Sequence, residues 1–125
     1  MIRKVSVIGG SGFVGTNFCQ QLLNSGIPFE IIDLVKSPRF INHSKFGDVR
    51  NIKSLRKNIT GDLVVDLAAI HRDDVINKNE YYKTNVDGAK NIVTVCKEKK
   101  IKKIIFSSSV AVYGLAEPCT GEDGD

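Results

Sequence analysis

Short apolar runs alternate with stretches of helical period along most of this chain. Residues 4–8 form an apolar run with the length and character of a strand buried on both faces. Residues 13–24 follow as a helix, with Val14, Phe18, Leu22 and Leu23 placed to face the sheet and Ser25-Gly26 as its stop. A second strand is expected over 29–33, after the turn residue Pro28. Residues 34–44 read as a loop, followed by a short third strand over 45–47 and a short helix from Asn51 through Leu55 and Lys57. The run Leu63-Val-Val-Asp-Leu67 makes a fourth strand, which Ala68-Ala69 leave in a tight connection. Residues 73–100 are mainly helical, best defined where Val86, Ala89, Ile92, Val93 and Cys96 recur at helical spacing. A fifth strand is expected over 103–107, and residues 117–125 carry acids, proline and glycine without a period. Strands that alternate with helices imply right-handed crossovers and a parallel α/β sheet with helices on both faces.

The densest chemistry lies where the first strand meets the first helix. Gly9, Gly12 and Gly15 give the spacing Gly-x-x-Gly-x-x-Gly, and Gly10, Gly12 and Gly15 also satisfy Gly-x-Gly-x-x-Gly. A chain that turns tightly off a strand, lets a diphosphate approach its backbone and packs helix on strand needs glycine at three places. The helix that follows would turn its free N–H groups and positive dipole end toward that anion. Glycines alone are a weak signal. Here a strand precedes them, and Asp33 lies 18 residues beyond Gly15 at the end of the next strand, which is the arrangement of a dinucleotide site.

Composition narrows the class without changing it. At 125 residues, the chain suits one domain with a core, and its 42% apolar and 26% charged residues are ordinary for a globular protein. No apolar run is long enough to cross a membrane, and the first residues lack the pattern of a signal peptide. Cys19, Cys96 and Cys119 are odd in number and widely spaced, so neither a metal site nor a disulfide framework is expected, and a cytoplasmic setting is the simplest reading. The net charge of +4 owes much to Lys97, Lys99, Lys100, Lys102 and Lys103, which sit where a helix ends and a strand begins. Cations there favour the helix dipole, and no aromatic residue interleaves with them, so nucleic acid is not the expected partner.

Several further motifs share one order and spacing. Asp33, Asp48-Val49, Asp66-Leu67-Ala68-Ala69, Asn85 with Gly88 and Asn91, and Ser107-Ser-Ser-Val-Ala-Val-Tyr-Gly114 follow the glycine cluster. Over residues 2–114 the chain resembles the N-terminal half of extended short-chain dehydrogenases/reductases, particularly the NAD-dependent sugar-nucleotide epimerase/dehydratase group. The resemblance implies a Rossmann-type domain over 1–116 with about five strands, an acidic flexible tail over 117–125, and NAD as cofactor. Gly9, Gly12, Phe13, Val14 and Gly15 would cradle the diphosphate. Asp33 would accept hydrogen bonds from the adenosine ribose hydroxyls and repel a 2′-phosphate, although Lys36 and Arg39 nearby offer a minority reading for NADP. Asp48 and Val49 match the residues at the adenine, although an acid there also suits the start of a helix. Leu67, Ala68 and Ala69 match the small residues over which the cofactor passes, and Ser107 lies at the same sheet edge. Asn85 would tie the long helix to the central strand, and Ser109 matches the catalytic serine or threonine. A serine suits that task because it can donate and accept while a sugar oxygen changes between alcohol and carbonyl.

His71, Arg72, Asp73 and Asp74 also follow the fourth strand, but an exposed loop histidine and acids at a helix start account for them. The chain departs from the family in one respect that matters for chemistry. The family's acid/base is a tyrosine with a lysine four positions later, and here Tyr81 is followed by Asn85, Tyr82 by Val86 and Tyr113 by Glu117. With no segment matching a substrate domain, the chain reads as truncated before it. Two expectations stand: the cofactor half of an epimerase, dehydratase or ketoreductase acting on a nucleotide-sugar, or a dinucleotide-binding module without chemistry. Self-association as a homo-oligomer is expected in either case, through the edge of the apolar fifth strand or an exposed helix face.

Overall fold

The computed structural model describes residues 1–69 and 78–108. Five parallel strands form one sheet in the order β3-β2-β1-β4-β5. They are β1 (Val5–Ile8), β2 (Phe29–Asp33), β3 (Ser44–Phe46), β4 (Leu63–Asp66) and β5 (Lys103–Phe106). The order runs outward from β1 in both directions, so neighbouring strands must be joined by crossovers that place helices over the sheet. On one face α1 (Phe13–Asn24) covers Val5, Val7, Phe29, Ile31 and Val65. On the other, α2 (Ile52–Asn58) and α4 (Gly88–Glu98) cover Ile8, Ile32 and Val64. The chain is a Rossmann-type α/β domain, as its alternation of strands and helices implies.

Local chemistry explains where the elements start and stop. Asn51 caps α2 by accepting hydrogen bonds from the Lys53 and Ser54 backbone N–H groups, so the predicted first helical residue is the cap itself. Gly26 ends α1 at φ +68°, with the Ile27 N–H reaching back to the Leu22 carbonyl at 2.9 Å. Lys100 does the same after α4 at φ 60°, and it lies in the lysine cluster at that helix's C-terminal end. The loop over 34–44 contains a 3₁₀ turn, Ile41–His43, whose His43 ring stacks on Phe29 at 4.4 Å. β3 lies one residue earlier than the expected 45–47, because Ser44 pairs in register with Ile31, and β4 and β5 each end one residue before the expected Leu67 and Ser107.

Two helix faces differ from expectation. In α1 the buried positions are Gly15, Cys19 and Leu22, whereas Val14 and Leu23 are exposed. Close packing of Gly15 against the turn rotates the helix so that the small residues Gly15 and Cys19 meet the sheet. In α4 the buried stripe is Gly88, Ile92, Val95 and Cys96, with Val93 exposed. α3 (Lys78–Tyr81) runs into a π-helical segment, Tyr82–Asp87, whose wider turn puts Val86 out of phase with that stripe.

β5 is the exposed margin of the sheet. It pairs with β4 along Val64–Ile104 and Val65–Ile105, yet Ile104, Ile105 and Phe106 are 39%, 53% and 60% exposed. No helix among the described residues is long and apolar enough to cross a membrane. The expected tail over 117–125, the domain limit at 116, and the loop with His71, Arg72, Asp73 and Asp74 lie outside the described residues.

Candidate functional site

A cleft of about 300 Å³ opens at the carboxyl edge of the sheet. Register puts it there. Ile32, Ile8, Asp66 and Phe106 stand level across β2, β1, β4 and β5, so the loops leaving these strands share one rim. Backbone hydrogen bonds lace that rim together. The Gly9 N–H donates to the Ile32 carbonyl at 2.9 Å, Leu67 to Ile8 at 2.8 Å, and Ser107 to Asp66 at 3.1 Å. β1 lies where the strand order reverses, between β2 and β4, and open α/β sheets bind ligands at such a point.

The three motif glycines do different work. Gly9 takes φ +76°, and a Cβ on it would meet the Ala68 nitrogen at 2.7 Å and the Leu67 carbonyl carbon at 2.8 Å. Gly15 is pressed against Gly10, where a Cβ would come to 2.5 Å from its Cα. Both are structural requirements of the turn. At Gly12 a Cβ would meet, among the described residues, only the Gly9 carbonyl oxygen, at 3.8 Å. Gly12 is also the cap of α1 and has no side chain to bond the first N–H groups of that helix, which stay available to a ligand. Its openness therefore fits a group arriving from the cleft.

Around that opening the structure gathers Gly9, Gly12, Asp33, Asp48, Val49, Leu67, Ala68 and Ala69 from four separate connections. Phe13 and Val14 are exposed at the head of α1 and do not line the cleft, Gly15 is buried beneath the turn, and Ser107 is exposed just beyond β5. Ser109 lies outside the described residues. Cleft residues absent from the sequence motifs are Ile8, Ile32, Leu34, Gly47, Arg50 and Thr84. Ile8 and Ile32 were legible as strand ends. Thr84 carried no signal in the sequence; it reaches the cleft wall from within the π-helical segment.

The carboxylates of the site are held in distinct ways. Asp33 Oδ2 accepts the Ser11 backbone N–H at 3.0 Å, and the Ser11 hydroxyl donates to the Val35 carbonyl at 2.6 Å, so the glycine turn is tied to the loop after β2. Asp48 is paired with Arg50. Its Oδ1 accepts the Arg50 backbone N–H at 2.9 Å and Nε at 3.0 Å, and its Oδ2 accepts Nη2 at 2.9 Å. The guanidinium holds the Asp48 carboxyl below its ordinary pKa against a smaller opposing effect of burial. Val49 is buried, receives Asn91 Nδ2 on its carbonyl at 2.9 Å, and packs on Gly88, where a Cβ would come within 2.7 Å of its Cγ2. Asp66 is buried at the end of β4, accepts the Ala68 N–H at 3.0 Å, and is pushed up in pKa by that burial. Cys19 and Cys96 are buried thiols raised by desolvation, Cys19 to about 11, and so are unreactive.

Sheet order, glycine turn and rim cleft together define a doubly wound α/β domain with an open cleft at the point where its strand order reverses. The sequence profile of the NAD dependent epimerase/dehydratase family matches residues 5–125, and the chain belongs to that family. It is 41% identical over 116 residues to an Escherichia coli N-acetyl-alpha-D-glucosaminyl-diphospho-ditrans,octacis-undecaprenol 4-epimerase, spanning 92% of this chain and 35% of that protein. It is 34% identical over 140 residues to a Pisum sativum bifunctional UDP-glucose and UDP-xylose 4-epimerase, spanning 94% of this chain and 40% of the relative. Among solved structures, Bifidobacterium longum UDP-glucose 4-epimerase in complex with NAD+ and UDP superposes with a TM-score of 0.85 at 30% identity, over 96% of this chain and 41% of that one. Brucella ovis UDP-glucose 4-epimerase in complex with NAD gives 0.87 at 26% identity, over 98% and 41%. The chain thus spans about two fifths of the length of these proteins.

Proposed function

We propose that this chain binds NAD in the carboxyl-edge cleft and forms the cofactor portion of an enzyme that oxidises a nucleotide-sugar hydroxyl to a keto intermediate, rearranges it and reduces it again. The observation that carries this reading is the contrast among the motif glycines. Gly9 and Gly15 are closed in by backbone, while among the described residues a Cβ on Gly12, at the head of α1, would make only an ordinary contact, 3.8 Å from the Gly9 carbonyl oxygen. That is the shape a diphosphate needs against a helix N-terminus, where N–H groups and dipole both favour an anion. The Phe13, Val14 and Gly15 N–H groups belong to the same first turn and complete the cradle.

The rest of the cleft fits an adenosine. Asp33 accepts the Ser11 N–H on Oδ2 and, at 3.5 Å, the Val35 N–H on Oδ1, and offers its remaining electron pairs to ribose hydroxyls, while its charge opposes a 2′-phosphate. Asp48 and Val49 border the adenine end, and Leu67, Ala68 and Ala69 form a wall of modest side chains leading toward Ser107. When bound, NAD supplies a hydride acceptor for the carbon bearing the sugar hydroxyl. Ser109 would hold that hydroxyl's oxygen, donating or accepting as the bond order changes. Titration of the chain with NAD and NADP by calorimetry tests the reading. NAD should bind more tightly, Asp33→Ala should narrow the difference, and a preference for NADP would overturn the ribose assignment.

A second reading keeps the cofactor and drops the chemistry. None of the three tyrosines in these 125 residues has a lysine four positions later, so the usual proton acceptor of the family is not in this stretch. Loss of one acid/base group lowers rates by about 10²–10⁴-fold. The 125 residues alone should therefore show no turnover with UDP- or dTDP-sugars, and robust turnover would overturn that expectation.

A further inference from the structure

Arg50 is the one cation among the described residues that line the cleft, and neither the glycine motif nor the ribose aspartate explains its role. Its guanidinium and backbone N–H together occupy three acceptor positions of Asp48, two on Oδ1 and one on Oδ2. An ionised carboxylate offers about four such positions. The free arm, Nη1, reaches Glu80 of α3 at 3.4 Å, so the fork is braced between the connection after β3 and the helix on the far side of the cleft. Both Asp48 and Arg50 line the cleft.

We propose that Arg50 is a positioning residue for the adenine end of the site, holding Asp48 so that one acceptor position is left, which suits one N–H of an exocyclic amino group. The inference rests on the proposed NAD site and adds to it the residue that makes the base contact selective. Three physical points support it. An aspartate on a surface loop has two rotatable bonds, and a bidentate guanidinium with an added backbone N–H removes that freedom. The pairing also neutralises a carboxylate that would otherwise add repulsion near a diphosphate. Finally, the Arg50 side chain is 41% exposed, and pairs so exposed contribute little to stability, so the geometry has no large effect on folding to account for it.

The test is calorimetric titration of the full 125-residue chain with NAD and with nicotinamide hypoxanthine dinucleotide, in which a carbonyl oxygen replaces the adenine amino group. A hydrogen bond to a charged acceptor predicts that the wild type prefers NAD by about 10-fold or more, and that Arg50→Ala narrows this to about threefold or less. Arg50→Lys should do the same, because an ammonium lacks the planar fork. Arg56→Ala removes a comparable surface pair, with Glu98 at 2.8 Å, and should keep the wild-type ratio. Equal binding of both dinucleotides by the wild type, or full discrimination in Arg50→Ala and Arg50→Lys, overturns the inference while leaving the proposed function intact. A wild type that binds neither dinucleotide overturns both.

Discussion

Glu30 and Asp66 are both buried carboxylates, and both share the sheet face that α2 and α4 cover, yet their surroundings are opposite. Glu30 lies toward the amino end of the strands. It accepts from the Ser6 hydroxyl at 2.6 Å, from the Thr60 N–H and hydroxyl at 2.7 and 2.8 Å, and from Lys45 Nζ at 2.5 Å, with Lys4 Nζ at 3.1 Å. Burial by itself would push its pKa up, but the hydrogen bonds from Lys45, Ser6 and Thr60 together outweigh it and hold the group at about 2. Asp66 lies two residues beyond the position level with Glu30, at the cleft end, and among the described residues it accepts from the Ala68 N–H. There burial prevails and raises the pKa. One end of the sheet is thus closed by a satisfied polar network. The other end keeps backbone and carboxylate groups underused, as a ligand site requires.

The comparison can be broken most severely at Gly12. Gly12→Val should lower NAD affinity by about 100-fold or more, because its side chain fills the space left for an anion at the helix head, while the far-ultraviolet circular dichroism stays helical. Unchanged affinity would remove the functional role of the cleft. Glu30→Ala acts on the other end. It strands two lysines and three donors, and equilibrium unfolding in urea should show a loss of about 3 kcal/mol, with dinucleotide affinity changed by less than about twofold in the folded fraction. A loss of affinity as large as that of Gly12→Val would mean that the two ends are not separable.

Acid titration sharpens the contrast further. Glu30 has a folded pKa below its ordinary value of 4.5, so its contribution is full above that value and is lost as pH falls toward about 2. Asp66 has the opposite sign. The folded chain holds that proton longer, so the associated stability is present below the ordinary value of 3.8 and is lost as pH rises through the folded pKa. Urea midpoints measured from pH 2.5 to 7 should therefore fall in acid for the wild type and flatten in Glu30→Gln. Asp66→Asn keeps a carbonyl for the Ala68 N–H and removes a buried charge, so its midpoint at neutral pH should rise. A fall there would show that the Asp66 charge is compensated in the folded chain.

Much of this was legible along the chain. The limits of α1, its stop at Gly26, the strand ending in Asp33 and the three-glycine spacing are local features, set by turn sterics and by periods of two and 3.6. The family motifs placed Asp48, Val49, Leu67, Ala68 and Ala69 beside that turn, and the cleft gathers them. Glu30 was hidden inside an apolar strand, because its partners Ser6, Lys45 and Thr60 lie 24, 15 and 30 residues away. Arg50 was hidden differently. Its bond to Asp48 is two residues long, but nothing in that spacing says that the fork also reaches Glu80 or that both face a cleft.

The order of strands, the glycine turn and the ends of β1 and β2 were set by the sequence alone, because each depends on neighbours within one turn or one strand. Only the tertiary structure decided which face of α1 and α4 is buried, which carboxylate is satisfied and which is left at the rim. Those outcomes depend on sheet register and on the phase of a π-helical segment, and both are settled by packing between residues far apart in the chain.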